Sequence, residues 1–154
     1  MRRRCLLTLW VLMLLFVSAC GSGETVSPDP QELFATMEEQ LSLPELVDMT
    51  DEYLEMGVGI QASFYDSAVY YLPEDGTLPD EIAIIRAVDS QQADAIQSAL
   101  EERLAYKEKS AQMYLTENMS VIQQGVIRRD GLTISLIVSE QVEEIEDLFD
   151  SMNA

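Results

Sequence analysis

The stretch VIRRDGLTISLIV, residues 126–138, holds two β-forming runs around Asp130-Gly131, a dipeptide favoured in two-residue hairpin turns. Successive side chains of a strand point to opposite sides. Leu132, Ile134, Leu136 and Val138 should therefore line one face, with Thr133 and Ser135 on the other. Arg128 and Arg129 flank the turn, so one side chain is expected on each face of the hairpin. Such a pair can hold an anion or a partner, but charging a strand edge against aggregation is the commoner use.

Working outward, Ser139 is expected to cap a last helix that buries Val142, Ile145, Leu148, Phe149 and Met152. Its acidic residues Glu143, Glu144, Glu146, Asp147 and Asp150 read as a solvated face. Upstream, Ile82 to Val88 (IAIIRAV) is apolar on both faces near its start, which suits a central strand. The β-forming run Ser67 to Leu72 precedes it, across a turn-rich loop at 73–79. Asp89, with Gln92 three residues on, should cap a long helix with an apolar stripe of Ala93, Ile96, Leu100, Leu104, Ala111 and Tyr114. The run Glu101-Glu102-Arg103 is placed on the wet side, and the pairs Glu102/Tyr106 and Arg103/Lys107 read as solvent-facing.

Nearer the start, Asp29-Pro30-Gln31-Glu32 combines an N-cap, a first-turn proline and a glutamate three residues after the cap. Leu33, Phe34, Met37 and Leu41 then share a helical face. A second short helix is expected from Glu45 to Met56, with Leu46, Met49, Tyr53 and Leu54 inward and Gly57 and Gly59 ending it. After these N-terminal helices the order is strand–strand–helix, twice. The expectation is an α+β domain: a four-stranded antiparallel sheet with helices on one face, formed by residues 31–154.

The beginning of the chain reads as an address. Arg2, Arg3 and Arg4 precede an apolar run from Leu6 to Phe16, then Val17-Ser18-Ala19-Cys20. A basic start, a short apolar core and small residues at the cut make a secretory signal over residues 1–19. The ending resembles the bacterial lipobox, which implies diacylglyceryl transfer to the Cys20 sulfur and cleavage before it. Two acyl chains anchor stably where one is marginal, at about 0.8 kcal/mol per buried methylene. Residues 20–30 then read as the lipidated cysteine and a flexible Gly/Ser/Pro tether. The expected location is the extracytoplasmic face of the cell membrane.

Composition narrows the chemistry. Without residues 1–19, six basic residues face 28 acidic ones, a net charge of −22. That charge excludes nucleic acid or anionic lipid as a partner bound through phosphate contacts. It leaves basic envelope proteins and cationic surfaces as partners, although acidity more often serves solubility alone. Cys5 lies in the discarded segment and Cys20 carries lipid, so no thiol remains for disulfide or redox work. Histidine is absent, which removes the usual base near neutral pH and the commonest zinc ligand.

The run Asp80-Glu81-Ile82-Ala83-Ile84-Ile85-Arg86-Ala87-Val88, then Ala93-Asp94-Ala95-Ile96, Ala99-Leu100-Glu101-Glu102-Arg103-Leu104 and Tyr114, resembles a family of small clostridial-type lipoproteins known as domain of unknown function 4358. Its members share a "DEIAIF-K" strand, a helix ending in "ALEERL", and a late strand followed by a short acidic helix. The resemblance spans about Leu33 to Met152. This chain departs from it with Gly57-Val58-Gly59-Ile60 in place of Tyr-Gly-Ile, and with Arg86 in place of lysine. The family brings no catalytic residue, cofactor or partner.

Asp80/Glu81, and the group Asp48, Asp51, Glu52 and Glu55, are candidate paired acids for glycoside hydrolysis, but a chain this acidic pairs carboxylates by chance. Pro73-Glu74-Asp75-Gly76 lacks the alternating oxygen ligands of a calcium loop, and Gly57-Val58-Gly59 alone is a weak phosphate signal. Tyr65, Tyr70 and Tyr71 could form a binding surface, but aromatics in a strand usually pack across the sheet. The sequence thus points to a non-enzymatic, lipid-anchored binding or accessory module with no cofactor and no metal. A solute-binding accessory of a transporter is the alternative, and a small carboxylate hydrolase ranks below both. Replacing Cys20 by alanine should abolish palmitate labelling and move the chain from the membrane to the soluble fraction; labelling that survives Cys20→Ala rejects the lipobox.

Overall fold

The computed structural model describes residues 28–114 and 116–152. The signal segment, Cys20 and the tether as far as Ser27 lie outside the described residues. Helix α1 spans Pro30–Gln40, and its N-cap Asp29 accepts a hydrogen bond from the Gln31 backbone N–H at 3.0 Å. Leu33, Phe34 and Met37 form its buried face, as their spacing requires.

The segment expected to form a second helix from Glu45 begins instead as a strand, β1, at Leu46–Asp48. Pro44 lies just before it, and the segment pairs antiparallel with β2 (Tyr65–Pro73), Leu46 opposite Pro73 and Asp48 opposite Tyr71. This satisfies backbone groups along β2 that a helix would leave open. Asp48 then turns the chain, its Oδ1 accepting from the Thr50 N–H at 2.9 Å and the Thr50 hydroxyl at 2.6 Å. Only the remainder is helical: α2 at Thr50–Tyr53, widening into a π-turn at Leu54–Val58 that Gly59 closes. Leu54 is buried as expected.

Among the described residues the sheet therefore has five strands, not four. Strand β3 spans Glu81–Ala87, β4 Val126–Asp130 and β5 Thr133–Val138, and the order is β1-β2-β3-β5-β4, all neighbours antiparallel. The hairpins β2–β3 and β4–β5 lie side by side, with β3 central as its two apolar faces require. In the second hairpin Asp130 pairs with Thr133, so the turn is Gly131-Leu132, one residue later than Asp130-Gly131. Gly131 has φ +61°, which glycine adopts without steric cost.

The expectation of helices on one face is also corrected, because both faces of the sheet are covered. Helix α3 (Ser90–Tyr114) packs Ala93, Ile96 and Leu100 against Ala83, Ile85, Leu136 and Val138, joined by Leu54 of the π-turn, by Ile60 just after it, and by Ile122 from the short helix α4 (Met119–Gln123). On the opposite face α1 and the last helix, α5 (Val142–Met152), pack against Val69, Ile82, Ile84 and Ile137. The cause lies in the strands: β5 is buried at all six positions, so neither side of the sheet can face water. The cap of α3 is as expected, Asp89 Oδ1 accepting from the Gln92 N–H at 2.8 Å. Ser139 instead precedes α5 by three residues, its hydroxyl accepting from the Gln141 N–H.

Arg128 and Arg129 on the edge strand β4 do divide between the faces. Arg128 pairs with Asp150 of α5 at 2.7 Å, its guanidinium 5.6 Å from the Phe149 ring centre, and Arg129 reaches Asp94 of α3 at 2.5 Å. The edge is thus both charged and clamped to a helix on either side. Leu100 is fully buried under the sheet. Leu100→Ala should lower the unfolding free energy by about 2–5 kcal/mol, read as a lower urea midpoint with an unchanged m-value.

Candidate functional site

Strand β3 carries Glu81 on the same face as Ala83, Ile85 and Ala87, beneath α3. Its side chain is fully buried. Four groups meet there. Arg103 forks onto the carboxylate, Nε to Oε1 at 2.8 Å and Nη2 to Oε2 at 2.9 Å. Lys107 Nζ, one helical turn further, donates to Oε2 at 2.8 Å. The Tyr70 hydroxyl donates to Oε1 from β2. Both carboxylate oxygens are thus saturated by charge-assisted bonds, the strongest kind available to a side chain.

These contacts fix the charge state. Burial works to raise the Glu81 carboxyl, but the Arg103 hydrogen bonds and the Lys107 charge outweigh it and hold the group below its usual range. Burial and the Glu81 charge push the Tyr70 phenol far above its ordinary value, so it stays a donor. Desolvation works against the Arg103 charge, and Glu81 more than compensates. Glu81 is a locked anion without a free lone pair, and it has no proton to deliver near neutral pH.

The expectation that Arg103 and Lys107 face solvent is therefore wrong. The four-residue spacing was right, but the shared partner lies on the sheet. Asp80, weighed with Glu81 as an acid pair, has other company: its side chain is bonded to Ser139, and burial pushes its pKa up with help from Glu140. Asp48, Asp51 and Glu52 line a separate cleft of about 400 Å³ with Gln31, Thr50 and Tyr71, and Asp48 is occupied in turning the chain. Tyr70 is in the core, Tyr65 packs against it, and Tyr71 stacks on Phe34 at 3.6 Å between ring centres. The acids of α5 at Glu143, Glu144 and Asp147 are exposed.

A second cleft, of about 330 Å³, opens between α3 and the π-turn directly outside the ion cluster. Arg103 forms its charged floor, with Tyr53 and Tyr106 as walls. The guanidinium carbon is 5.3 Å from the Tyr53 ring centre and 6.0 Å from that of Tyr106, within cation–π range of both. Gly57, Val58, Ala99 and Glu102 complete the lining. A β-carbon at Gly57 would fall 2.7 Å from the Tyr53 ring, so glycine lets that ring lie against the backbone. Sequence reasoning missed Tyr53 and Tyr106 as a pair because the π-turn and α3 are distant in the chain. The sign of a buried charge was present, however. Lys107 falls on the stripe formed by Leu100, Leu104 and Ala111, three residues after Leu104 and four before Ala111.

Removing one partner of a buried pair strands the other, so Arg103→Met should cost about 3–5 kcal/mol at neutral pH. Glu81→Gln should also destabilise. Because the folded-state pKa of Glu81 is depressed, its contribution is complete above the unfolded-state value and is lost as pH falls through the folded one. The gap between wild type and Glu81→Gln should therefore narrow on acidification below about pH 4. Asp80 acts in the opposite sense. Its raised pKa makes the folded state less stable as pH rises, so Asp80→Asn should stabilise at pH 7 and converge with wild type in acid. Chemical denaturation across pH 3–8 tests both.

No curated protein and no solved structure matches the chain. Residues 39–139 match the family described as "Domain of unknown function (DUF4358)", and this span contains β1 to β5, Glu81 with its three partners, and both walls of the Arg103 cleft. The matched region covers well over half of the sequence, and the chain belongs to that family.

Proposed function

We propose that this chain is a non-catalytic binding module of the cell envelope, held at the extracytoplasmic face of the membrane by lipid on Cys20. The cleft between Tyr53 and Tyr106 is its recognition site. The observation that carries this reading is the floor of the cleft. Arg103 spends Nε and Nη2 on Glu81 and still lines the cleft, so a guanidinium with more N–H donors than these two bonds use stands at the floor of the cleft. A few placed polar groups between aromatic walls are the usual make-up of a ligand site. Glu81 is held ionised and saturated, which supports a binding role for the cleft rather than an acid–base role for Glu81. Tyr106 itself is 65% exposed, with Met56 on the π-turn and Met113 further along α3 exposed as well, so the mouth of the cleft is open.

The size of the cleft favours one specific form of the alternative, a solute-binding accessory of a transporter, since it would admit a single small molecule. The full lipidated chain in detergent should show a higher Tm in the low-molecular-weight fraction of the envelope, and Tyr106→Ala should remove that rise. A Tm that is the same for wild type in every envelope fraction and with every cationic wall polymer rejects the binding reading.

A further inference from the structure

The charges around the Arg103 cleft are unusually arranged for so acidic a chain. Glu81, Arg103 and Lys107 form one buried group in which two cations face one carboxylate, and Tyr70 adds a neutral phenol. The cluster is therefore net positive within a chain of net charge −19. Lys107 is turned onto Glu81, and its side chain is 15% exposed. Arg103 is the member that lines the cleft, and its side chain is 13% exposed. Its guanidinium is fixed in place by the two bonds to Glu81, so little ordering entropy is lost when a ligand meets it.

Beside this positive floor stands a negative rim. Glu102, the next residue on α3, lines the same cleft and has no ion-pair partner among the described residues. It neighbours Tyr106 at four-residue spacing, so its carboxylate and the Tyr106 ring share one wall. The two signs exclude several ligand classes. A dianion such as phosphate would meet Glu102 and the acidic surroundings. A simple cation would meet Arg103. A monoanion would satisfy the floor and leave Glu102 repelled. A small molecule with an adjacent carboxylate and ammonium satisfies both, and aromatic faces beside the rim attract an ammonium further.

We propose that the cleft binds a free α-amino acid, its carboxylate on the Arg103 guanidinium and its ammonium between Glu102 and the Tyr106 ring. Its side chain lies against Val58, Ala99 and Tyr53, all partly buried. That surface is uncharged, so a glycine, leucine or phenylalanine suits it and a charged side chain does not. A volume of about 330 Å³ holds one such molecule and no folded partner. The proposal rests on the binding reading above and names its ligand.

Calorimetric titration of the full chain with glycine, leucine and phenylalanine tests it. At least one should bind with a Kd of about 1 mM or tighter. For that amino acid, the N-acetyl derivative and the carboxamide should each lose roughly tenfold in affinity, since each removes one charged contact. Glu102→Gln and Tyr106→Ala are changes at exposed side chains that leave the hydrogen bonds of Glu81 to Arg103, Lys107 and Tyr70 in place. Each should weaken the free amino acid while the far-UV spectrum and Tm of the unliganded chain stay at wild-type values. Lack of binding by all three amino acids overturns the proposal. So does an N-acetyl derivative that binds as well as its parent, or an affinity that neither variant changes. If the envelope fraction raises the Tm while the amino acids do not bind, the ligand class is wrong and the binding site stands; if both fail, the binding reading falls as well.

Discussion

Glu81 is the point at which this fold commits itself. A carboxylate without solvent contact, in a layer otherwise made of Ala83, Ile85, Leu100 and Leu136, is tolerable only with its charge answered on the spot. Arg103 and Lys107 answer it from one helix and Tyr70 from the neighbouring strand. Hydrophobic contacts would let α3 slide or rotate over the sheet at modest cost. The fork between Arg103 and Glu81 permits one register, because a shift of one residue would strand three charged or polar groups in an apolar layer. The ion cluster thus acts on specificity of packing. Apolar burial on both faces of the sheet supplies the larger share of the stabilising free energy.

The same constraint shapes the outer surface. Holding the Arg103 head at Glu81 brings it within cation–π range of Tyr53 and Tyr106 and onto the lining of the cleft. Tyr53 is in turn placed by the π-turn, whose Gly57 allows the ring to approach the backbone. The cleft is thus the exterior side of a structural device. Changing Arg103 would damage fold and cleft together, and the two roles are separable only at rim residues such as Glu102 and Tyr106.

Much of the fold was legible locally. The capping residues Asp29 and Asp89, the alternation of Ile134, Leu136 and Val138, and the two-sided apolar run of β3 each obey rules that act over a few residues. The errors were of another kind. Leu46–Asp48 has apolar spacing that suits a helix, but pairing with β2 offers its backbone a ladder that no local rule can weigh. Arg103 and Lys107 carry charges that usually seek water. Only the presence of Glu81, more than 20 residues away on β3, makes their burial favourable. The motifs DEIAI and ALEERL each contain one end of that ion pair, yet read singly they look like a strand and an exposed helical turn.

By itself the sequence determined the element types over most of the chain, the central place of β3, the acidic character of the surface and the absence of histidine from its chemistry. These follow from side-chain period, capping chemistry and composition, which are properties of neighbours along the chain. Only the tertiary structure decided the fifth strand, the helices on both faces, and the meeting of Glu81 with Arg103, Lys107 and Tyr70 under the Tyr53–Tyr106 cleft. Each depends on groups far apart in sequence satisfying one another's charge or backbone hydrogen bonds, and such pairings have no local signature strong enough to be read before the chain is folded.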